Sequence, residues 1–185
     1  MKVMHQAMMA LAGVTLCSTA ALAAPFTLHS TDFHNAGPLP VSMGAGGQCP
    51  GRNLSPQLSW QGEPAGTKSY VLLIEDPQGV KGLGMTHFIG YGIDAQRHAF
   101  NREDLSQNRG YIAGTNGKQI QGYFGPCPPA ESDIHNYNFT LIATDLAPDA
   151  LARGETREAV MAALKGHNLG SAGLVGQFIL PAKRK

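Results

Sequence analysis

The sequence predicts a mainly β domain that follows an N-terminal export signal. Seven short apolar runs bounded by Gly and Pro are typical of strands. The spacing of apolar residues that is typical of an amphipathic helix occurs once. Gly is frequent, with 23 residues in 185, and 15% of the residues are charged, which argues against long charged helices and coiled coils. Because no internal repeat or linker divides the chain, we predict one domain over residues 24–185.

Residues 1–23 have the order of a secretory signal peptide. A basic start precedes an apolar run that ends at Leu16, and small residues then lead to an A-x-A pattern that closes at Ala23. The apolar run is shorter than the about 20 residues that a membrane-spanning helix needs. Lipidation at Cys17 is the weaker alternative, because bulky Leu16 precedes it. We therefore predict cleavage after Ala23, a periplasmic or secreted protein and no membrane-spanning segment.

The charge balance excludes a broad nucleic-acid-binding surface. The chain has 14 Lys and Arg against 13 Asp and Glu, and removal of the leader takes away Lys2, which leaves 13 against 13. A formally neutral domain offers few cations for neutralising a phosphate backbone. We expect no nucleic-acid partner.

Two cysteines remain in the predicted mature chain, Cys49 and Cys127. An exported domain enters an oxidising compartment in which disulfides persist, and two cysteines allow a single pairing. The sequence therefore predicts a Cys49–Cys127 disulfide.

The predicted strands differ in how many of their faces are apolar. The run Tyr70–Glu75 is apolar on both faces, which is typical of a central strand covered on both sides. In the run Tyr137–Thr144, apolar residues alternate with more polar ones, which indicates one buried face. In chain order, the predicted strands are Phe26–Phe33, Gln57–Trp60, Tyr70–Glu75, His87–Ile93, Lys118–Phe124, Tyr137–Thr144 and Gly173–Leu180.

One helix is predicted, over Thr156–Lys165. Val160 and Leu164 stand four residues apart and would share one apolar face. Thr156 is a suitable N-terminal cap, and Gly166 can adopt the left-handed conformation that ends a helix.

Polar side chains gather near the ends of three predicted strands. Asp76 follows a strongly apolar strand and His87 opens the next, so that a hairpin would bring the two together. The stiff loop GYFGPCPP is followed by His135 and Tyr137. On spacing alone two interpretations stay open: a preformed pocket, or glycines and prolines that turn the chain beside structural histidines.

Several motifs together resemble phosphatidylethanolamine-binding proteins, and in particular the bacterial branch of Raf kinase inhibitor-like proteins. The resemblance extends from about Phe26 to Phe178, nearly the whole predicted mature chain. In chain order, the motifs are GRNLSPQLSW with Asn53 and Ser55, Asp76 with Pro77, MTHF with His87, GYFGPCPP followed by His135 and Tyr137, and KGHNLG with His167.

The resemblance implies a Greek-key β-sandwich of two antiparallel sheets with a few peripheral helices. It also implies a small surface pocket for phosphate-like anions, in which Asp76 orients His87. Because a charged imidazole attracts an anion, we expect affinity for phosphate or phosphoryl head groups to weaken as the pH rises through the histidine range. The implied pocket consists of Asp76, His87, the backbone of Gly125 and Pro126, His135 and Tyr137.

The sequence departs from the family pattern around this pocket. Where the family often has D-P-D-x-P, Gln78 stands in place of the second acid, and Asn136 replaces a common Arg. Glu131 and Asp133 precede His135 and could repel an anion. We therefore expect differences at the pocket rim.

Three other functions compete with a small-anion binder. Asp76, His87 and His135 are chemically suitable metal ligands, but no H-E-x-x-H or C-x-x-C spacing supports a metal site. A hydrolase could use Cys127 or Ser55 as nucleophile, yet a disulfide would disable Cys127 and no G-x-S-x-G motif is present. A regulator of a partner protein would use the pocket rim. We favour binding over catalysis, with no cofactor or metal, and family analogy allows a homodimer.

Overall fold

The computed structural model describes residues 24–129 and 133–180. In this part of the chain nine strands form two sheets. Outside them lie a seven-residue α-helix, Arg157–Ala163, a single helical turn at Gly79–Gly82 and a short 3-10 helix at Val41–Met43. The mainly β prediction is confirmed. The strands are β1 (Thr27–His29), β2 (Gly37–Pro38), β3 (Leu58–Gln61), β4 (Ser69–Asp76), β5 (Met85–Asp94), β6 (Ala99–Phe100), β7 (Ile112–Ala113), β8 (His135–Thr144) and β9 (Asn168–Phe178).

The larger sheet has the strand order β2-β9-β8-β4-β5-β7, and the smaller one has the order β1-β3-β6. After the β4–β5 hairpin the chain makes a long excursion and returns as β8 on the other side of β4, a connection of the Greek-key type. Pairing is antiparallel with one exception, because β2 runs parallel to β9. The predicted antiparallel sandwich is therefore confirmed except at this short edge strand.

Strand β4 is covered on both faces, as its apolar run predicts. Leu72 and Ile74 pack in the core between the two sheets. Val71 and Leu73 pack on the opposite face with Val160 of the helix. Burial of such a side chain stabilises the fold by about 1.5–3 kcal/mol, so that β4 anchors both layers.

The helix lies inside its predicted range and has the predicted cap. The Thr156 hydroxyl accepts a hydrogen bond from the amide of Ala159 at 3.3 Å. Gly166, shortly after the helix, has a φ of 81°, which is the left-handed conformation expected of it. No helix of the described residues is long and apolar enough to cross a membrane.

The strand predicted over Lys118–Phe124 is wrong, because the segment begins with a turn and only Gln121 makes a β-bridge, an isolated one to Thr115. The side-chain oxygen of Asn116 accepts hydrogen bonds from the amides of Lys118 at 2.9 Å and Ile120 at 3.4 Å. These bonds satisfy the backbone locally and compete with strand pairing. The predicted run Phe26–Phe33 is likewise reduced to the three residues of β1.

Candidate functional site

Strand order brings four of the predicted site residues to one end of the larger sheet. Asp76 is the last residue of β4, and His135 is the first residue of β8. Because β4 runs antiparallel to both β5 and β8, its end lies beside the beginnings of those two strands. His87 and Tyr137, near the beginnings of β5 and β8, therefore lie close to Asp76.

A bulge in β5 directs His87 toward this site. Ile74 is paired with Phe88 and the next residue, Glu75, with Thr86, so His87 is the extra residue. A bulge changes the direction of one side chain while the neighbouring strand continues. The His87 ring consequently lies edge-on to Tyr137, with 5.0 Å between the ring centroids. All four polar side chains at this end of the sheet are buried: Asp76, His87, His135 and Tyr137.

Asp76 holds His135 and not His87, contrary to the expectation from the family resemblance. Its Oδ2 atom lies 2.7 Å from Nδ1 of His135, and the two groups form an ion pair when the ring is protonated. Its Oδ1 atom accepts hydrogen bonds from the amides of Gln78 and Gly79, both at 3.0 Å. The carboxylate thus fixes both the His135 ring and the first residues of the β4–β5 turn.

His87 is held by a backbone carbonyl. Its Nδ1 donates a hydrogen bond to the oxygen of Phe124 at 2.8 Å, and the two rings stack at 5.7 Å between centroids. Burial lowers the pKa of His87, and this effect outweighs the opposite influence of the Phe124 carbonyl and the Asp76 charge. The ring is therefore neutral at pH 7, with Nδ1 protonated and Nε2 able to accept a hydrogen bond.

The Tyr137 hydroxyl is buried and makes no close hydrogen bond within residues 24–129 and 133–180, although the Asp76 carboxylate and the Cys127 amide lie near it. Burial raises the pKa of Tyr137 above its usual range, and the negative charge of Asp76 raises it further. The hydroxyl is therefore a neutral donor. An unpaired buried donor costs about 1–3 kcal/mol, which a ligand oxygen in contact with it could offset.

The loop at Gly125 and Pro126 is a wall of the site and is locked to a second loop. The Gly125 amide donates to Oδ1 of Asn53 at 2.7 Å, so it is not free for a ligand as the resemblance implied. The Pro126 carbonyl accepts a hydrogen bond from Ala45 at 2.9 Å. A Cβ at position 125 would lie 2.0 Å from the carbonyl oxygen of Met43, which explains why glycine stands there.

The predicted disulfide is present and ties the same two loops together. Cys49 and Cys127 are bonded across a sequence separation of 78 residues, with 5.6 Å between their Cα atoms. Cys127 directly follows Pro126. The bond therefore constrains the wall of the site as well as the unfolded chain.

The two departures from the family pattern contact each other at the rim. Oε1 of Gln78 accepts a hydrogen bond from the amide of Asn136 at 3.2 Å, and the Asn136 side chain accepts one from Gln177 at 3.2 Å. These bonds join the β4–β5 turn to the beginning of β8. Asp133 is exposed near this rim, and Glu131 lies outside the described residues.

The neighbouring carboxylate, Glu75, belongs to the other face of the sheet. Its Oε1 atom lies 2.5 Å from Nε of Arg157 in the helix. Successive residues of a strand point to opposite faces, as the sequence predicts for Glu75 and Asp76. Glu75 therefore takes no part in the site.

Sequence reasoning missed the contributions of Asn53 and Phe124. Asn53 bonds Gly125 and also donates to the carbonyl of Tyr123 at 3.2 Å, while Phe124 holds His87. The position of Asn53 within the GRNLSPQLSW motif could have indicated its role. The role of Phe124 could not be found in this way, because it depends on a backbone carbonyl, which every residue has. The described residues contain no group of three or more His, Cys, Asp or Glu side chains placed to hold a metal ion.

The chain is similar in sequence to known proteins. A family model described as phosphatidylethanolamine-binding protein matches residues 29–179. The UPF0098 protein of Methanothermobacter thermautotrophicus is 37% identical over 133 residues, which cover 70% of this chain and 85% of that protein. The "Putative lipoprotein LppC" of Mycobacterium tuberculosis is 35% identical over 169 residues, which cover 89% of this chain and 78% of that protein.

A solved structure shares the architecture. The crystal structure of Escherichia coli YbcL, described as a member of the mammalian PEBP family, superposes with a TM-score of 0.78 at 25% sequence identity. The match covers 85% of this chain and all of YbcL, 100%. The two-sheet fold is therefore common to both proteins.

Proposed function

Because the chain belongs to the phosphatidylethanolamine-binding protein family, we propose that it binds a small anion of the phosphate or phosphoryl type. The binding site is the cluster formed by Asp76, His87, His135 and Tyr137, which we call the Asp76 cluster. The family assignment supports a binding protein, and the side chains of the cluster support the class of ligand.

The observation that carries this proposal is the Tyr137 hydroxyl, which is buried and unpaired within the described residues. Beside it stand two imidazoles, each held through Nδ1: His87 by the Phe124 carbonyl and His135 by Asp76. This arrangement leaves both Nε2 atoms uncommitted. An oxygen-rich ligand could contact the hydroxyl and both rings at once.

The two histidines have different roles in the proposed complex. Asp76 holds His135 through Nδ1, so this ring is the cationic partner of the anion whenever it is protonated. Neutral His87 can accept a hydrogen bond at Nε2, and a protonated phosphate oxygen is a suitable donor. The contact with His87 weakens as the pH rises, because the phosphate loses the proton through which it donates to Nε2 of His87.

We propose binding and not catalysis for this site. Cys127 is bonded to Cys49, so it has no thiolate for nucleophilic attack. The remaining cluster residues position and charge a ligand. A panel of ester and phosphoester substrates tests this part of the proposal, and turnover that depends on His135 would contradict it.

Titration calorimetry with inorganic phosphate tests the binding proposal directly. We expect the wild-type protein to bind phosphate more tightly at pH 6 than at pH 8, and the His87→Ala/His135→Ala variant to lose the site that shows this pH dependence. Equal binding by the two proteins would refute the proposal. Mass spectrometry of small molecules released from natively purified protein then identifies the physiological ligand.

We further propose that the protein acts in the periplasm after export. The predicted leader, residues 1–23, lies outside the described residues, so support comes from the disulfide and from similarity to LppC. Disulfides persist in oxidising compartments. Mass spectrometry of the exported protein should find Ala24 at the N-terminus, whereas an intact Met1 would contradict export and a lipidated Cys17 would contradict cleavage after Ala23.

A second candidate function is regulation of a partner protein through the rim. The turn after Asp76 carries two exposed apolar side chains, Val80 at 59% and Leu83 at 86% exposure. Exposed apolar side chains beside a site are typical of contact surfaces. If this function holds, a Val80→Ser/Leu83→Ser variant should lose a partner that the wild type retains from a periplasmic extract, while phosphate binding is unchanged.

A further inference from the structure

A cavity of about 150 Å³ lies apart from the Asp76 cluster. None of the four cluster residues lines it. Its polar lining comes from two arginines, one aspartate and two serines, and the rest of its wall is apolar. The polar lining residues are Asp32, Ser42, Arg52, Ser55 and Arg102.

One guanidinium in this cavity is already paired. Nε of Arg102 donates to both carboxylate oxygens of Asp32, at 3.1 and 3.2 Å, and Nη2 also contacts Oδ1. The Asp32 carboxylate further accepts a hydrogen bond from the amide of Gln57 at 2.8 Å. The hydrogen bonds from Arg102 lower the pKa of Asp32, which keeps this carboxylate ionised. Asp32 thus neutralises Arg102 but leaves the Nη1 hydrogens of Arg102 uncommitted.

The second guanidinium, of Arg52, has no acidic partner among residues 24–129 and 133–180. Its backbone position is fixed, since the Arg52 amide donates to the carbonyl of Ser42 at 3.0 Å. Two cations and one anion therefore line the cavity, which leaves one uncompensated positive charge. This charge favours an anionic occupant.

A buried serine fixes the wall of the cavity. Oγ of Ser55 accepts hydrogen bonds from the amides of Leu105 at 3.1 Å and Ser106 at 3.2 Å. Ser55 is fully buried, so it supports the cavity from behind and does not contact an occupant. The two guanidiniums are therefore the groups that an anion would meet.

We propose that this cavity is a second anion site, which binds a phosphate group through Arg52 and Arg102. The group is either inorganic phosphate or the end of a phosphate monoester. A tetrahedral oxyanion has enough oxygens to meet two guanidiniums from different directions, whereas a carboxylate has two oxygens in one plane. A volume of about 150 Å³ accommodates a phosphate group without a large substituent.

The test separates this site from the Asp76 cluster. Titration calorimetry with inorganic phosphate is carried out on the His87→Ala/His135→Ala variant, which lacks the proposed cluster site. We expect one phosphate site to remain, and Arg52→Gln to weaken it about tenfold or more because a charge-assisted hydrogen bond is lost. The control is Arg109→Gln, which removes an exposed arginine that does not line the cavity. This control should change the affinity less than twofold.

Nuclear magnetic resonance keeps the proposal testable if the double variant does not fold. Phosphate added to the wild type should shift the Nε–H signals of Arg52 and Arg102 but not that of Arg109. Titrations with sn-glycerol 3-phosphate and with acetate then distinguish a monoester, the free ion and a carboxylate. The proposal is overturned if Arg52→Gln and Arg109→Gln behave alike, or if acetate binds this site as tightly as phosphate.

Discussion

Oδ2 of Asp76 lies 2.7 Å from Nδ1 of His135, although 59 residues separate them in the chain. The other oxygen of the same carboxylate holds the amides of Gln78 and Gly79. One side chain therefore couples the imidazole at the beginning of β8 to the turn that follows β4. A ligand that changes the charge of His135 acts on a carboxylate that also holds this turn.

The variant Asp76→Asn removes the negative charge of this side chain and keeps its shape. In Asp76→Asn the amide oxygen can still accept from the turn, but the NH2 group faces His135, which must then be neutral with a proton on Nε2. We expect about tenfold weaker phosphate binding and a loss of about 1–3 kcal/mol in the free energy of unfolding. Titration calorimetry and urea unfolding measure the two effects.

The neighbouring carboxylate provides the control for this variant. Glu75 pairs with Arg157 on the opposite face of the sheet, so Glu75→Gln removes a carboxylate of the same strand without touching the Asp76 cluster. Phosphate affinity should be unchanged in Glu75→Gln. An equal loss of affinity in both variants would mean that general charge, and not the contact with His135, controls binding.

Removal of the Tyr137 hydroxyl should affect binding and stability in opposite directions. Because the hydroxyl is buried and unpaired within the described residues, Tyr137→Phe should leave the free energy of unfolding unchanged or raise it by about 1 kcal/mol. Phosphate affinity should fall about fivefold or more, since a donor to the ligand is lost. Urea unfolding and calorimetry on the same preparation compare the two quantities.

Tyr111 is the matched control for this experiment. Its hydroxyl is hydrogen-bonded to the Leu105 carbonyl and to Oδ1 of Asn108, both at 2.7 Å. Tyr111→Phe should therefore lose about 1 kcal/mol of stability and keep its phosphate affinity. If Tyr137→Phe destabilises the protein as Tyr111→Phe does, the hydroxyl of Tyr137 has a structural partner and the proposed contact with a ligand fails.

The buried neutral ring of His87 predicts a loss of stability in mild acid. Folding lowers the pKa of His87 below its ordinary value of 6.5, so the unfolded chain takes up a proton at a higher pH than the folded protein. The stability that depends on neutral His87 is full above about pH 6.5 and is lost as the pH falls below it. Urea unfolding between pH 8 and pH 5 should show a smaller acid-induced loss in His87→Gln than in the wild type, and parallel losses would disprove this assignment.

The disulfide should contribute both to stability and to the site. Loss of a cross-link between residues 78 positions apart lowers the free energy of unfolding by about 4 kcal/mol in the chain-entropy model. We expect a loss of this size in Cys49→Ser/Cys127→Ser, with weaker phosphate binding because the Pro126 loop is released. Thiol titration of the denatured, unreduced wild type should detect no free thiol, and two thiols per chain would contradict the bond.

Local pattern was sufficient for much of the fold. The two-faced apolar run of β4 predicted its central position, and the Thr156 cap and Gly166 predicted the helix. It failed at Lys118–Phe124, where the Asn116 side chain holds the amides of Lys118 and Ile120 in a turn. An apolar run alone does not reveal that a side chain will bond the backbone in place of a neighbouring strand, because here that side chain, Asn116, lies outside the run.

For the candidate site, the sequence by itself determined the residue types, their order and the one disulfide that two cysteines permit. Only the tertiary structure decided that Asp76 holds His135, and that His87 is a neutral ring bonded to the Phe124 carbonyl. The physical reason is that these contacts depend on strand register, on a bulge and on depth of burial. Those quantities are set by the packing of distant segments, which spacing along the chain does not encode.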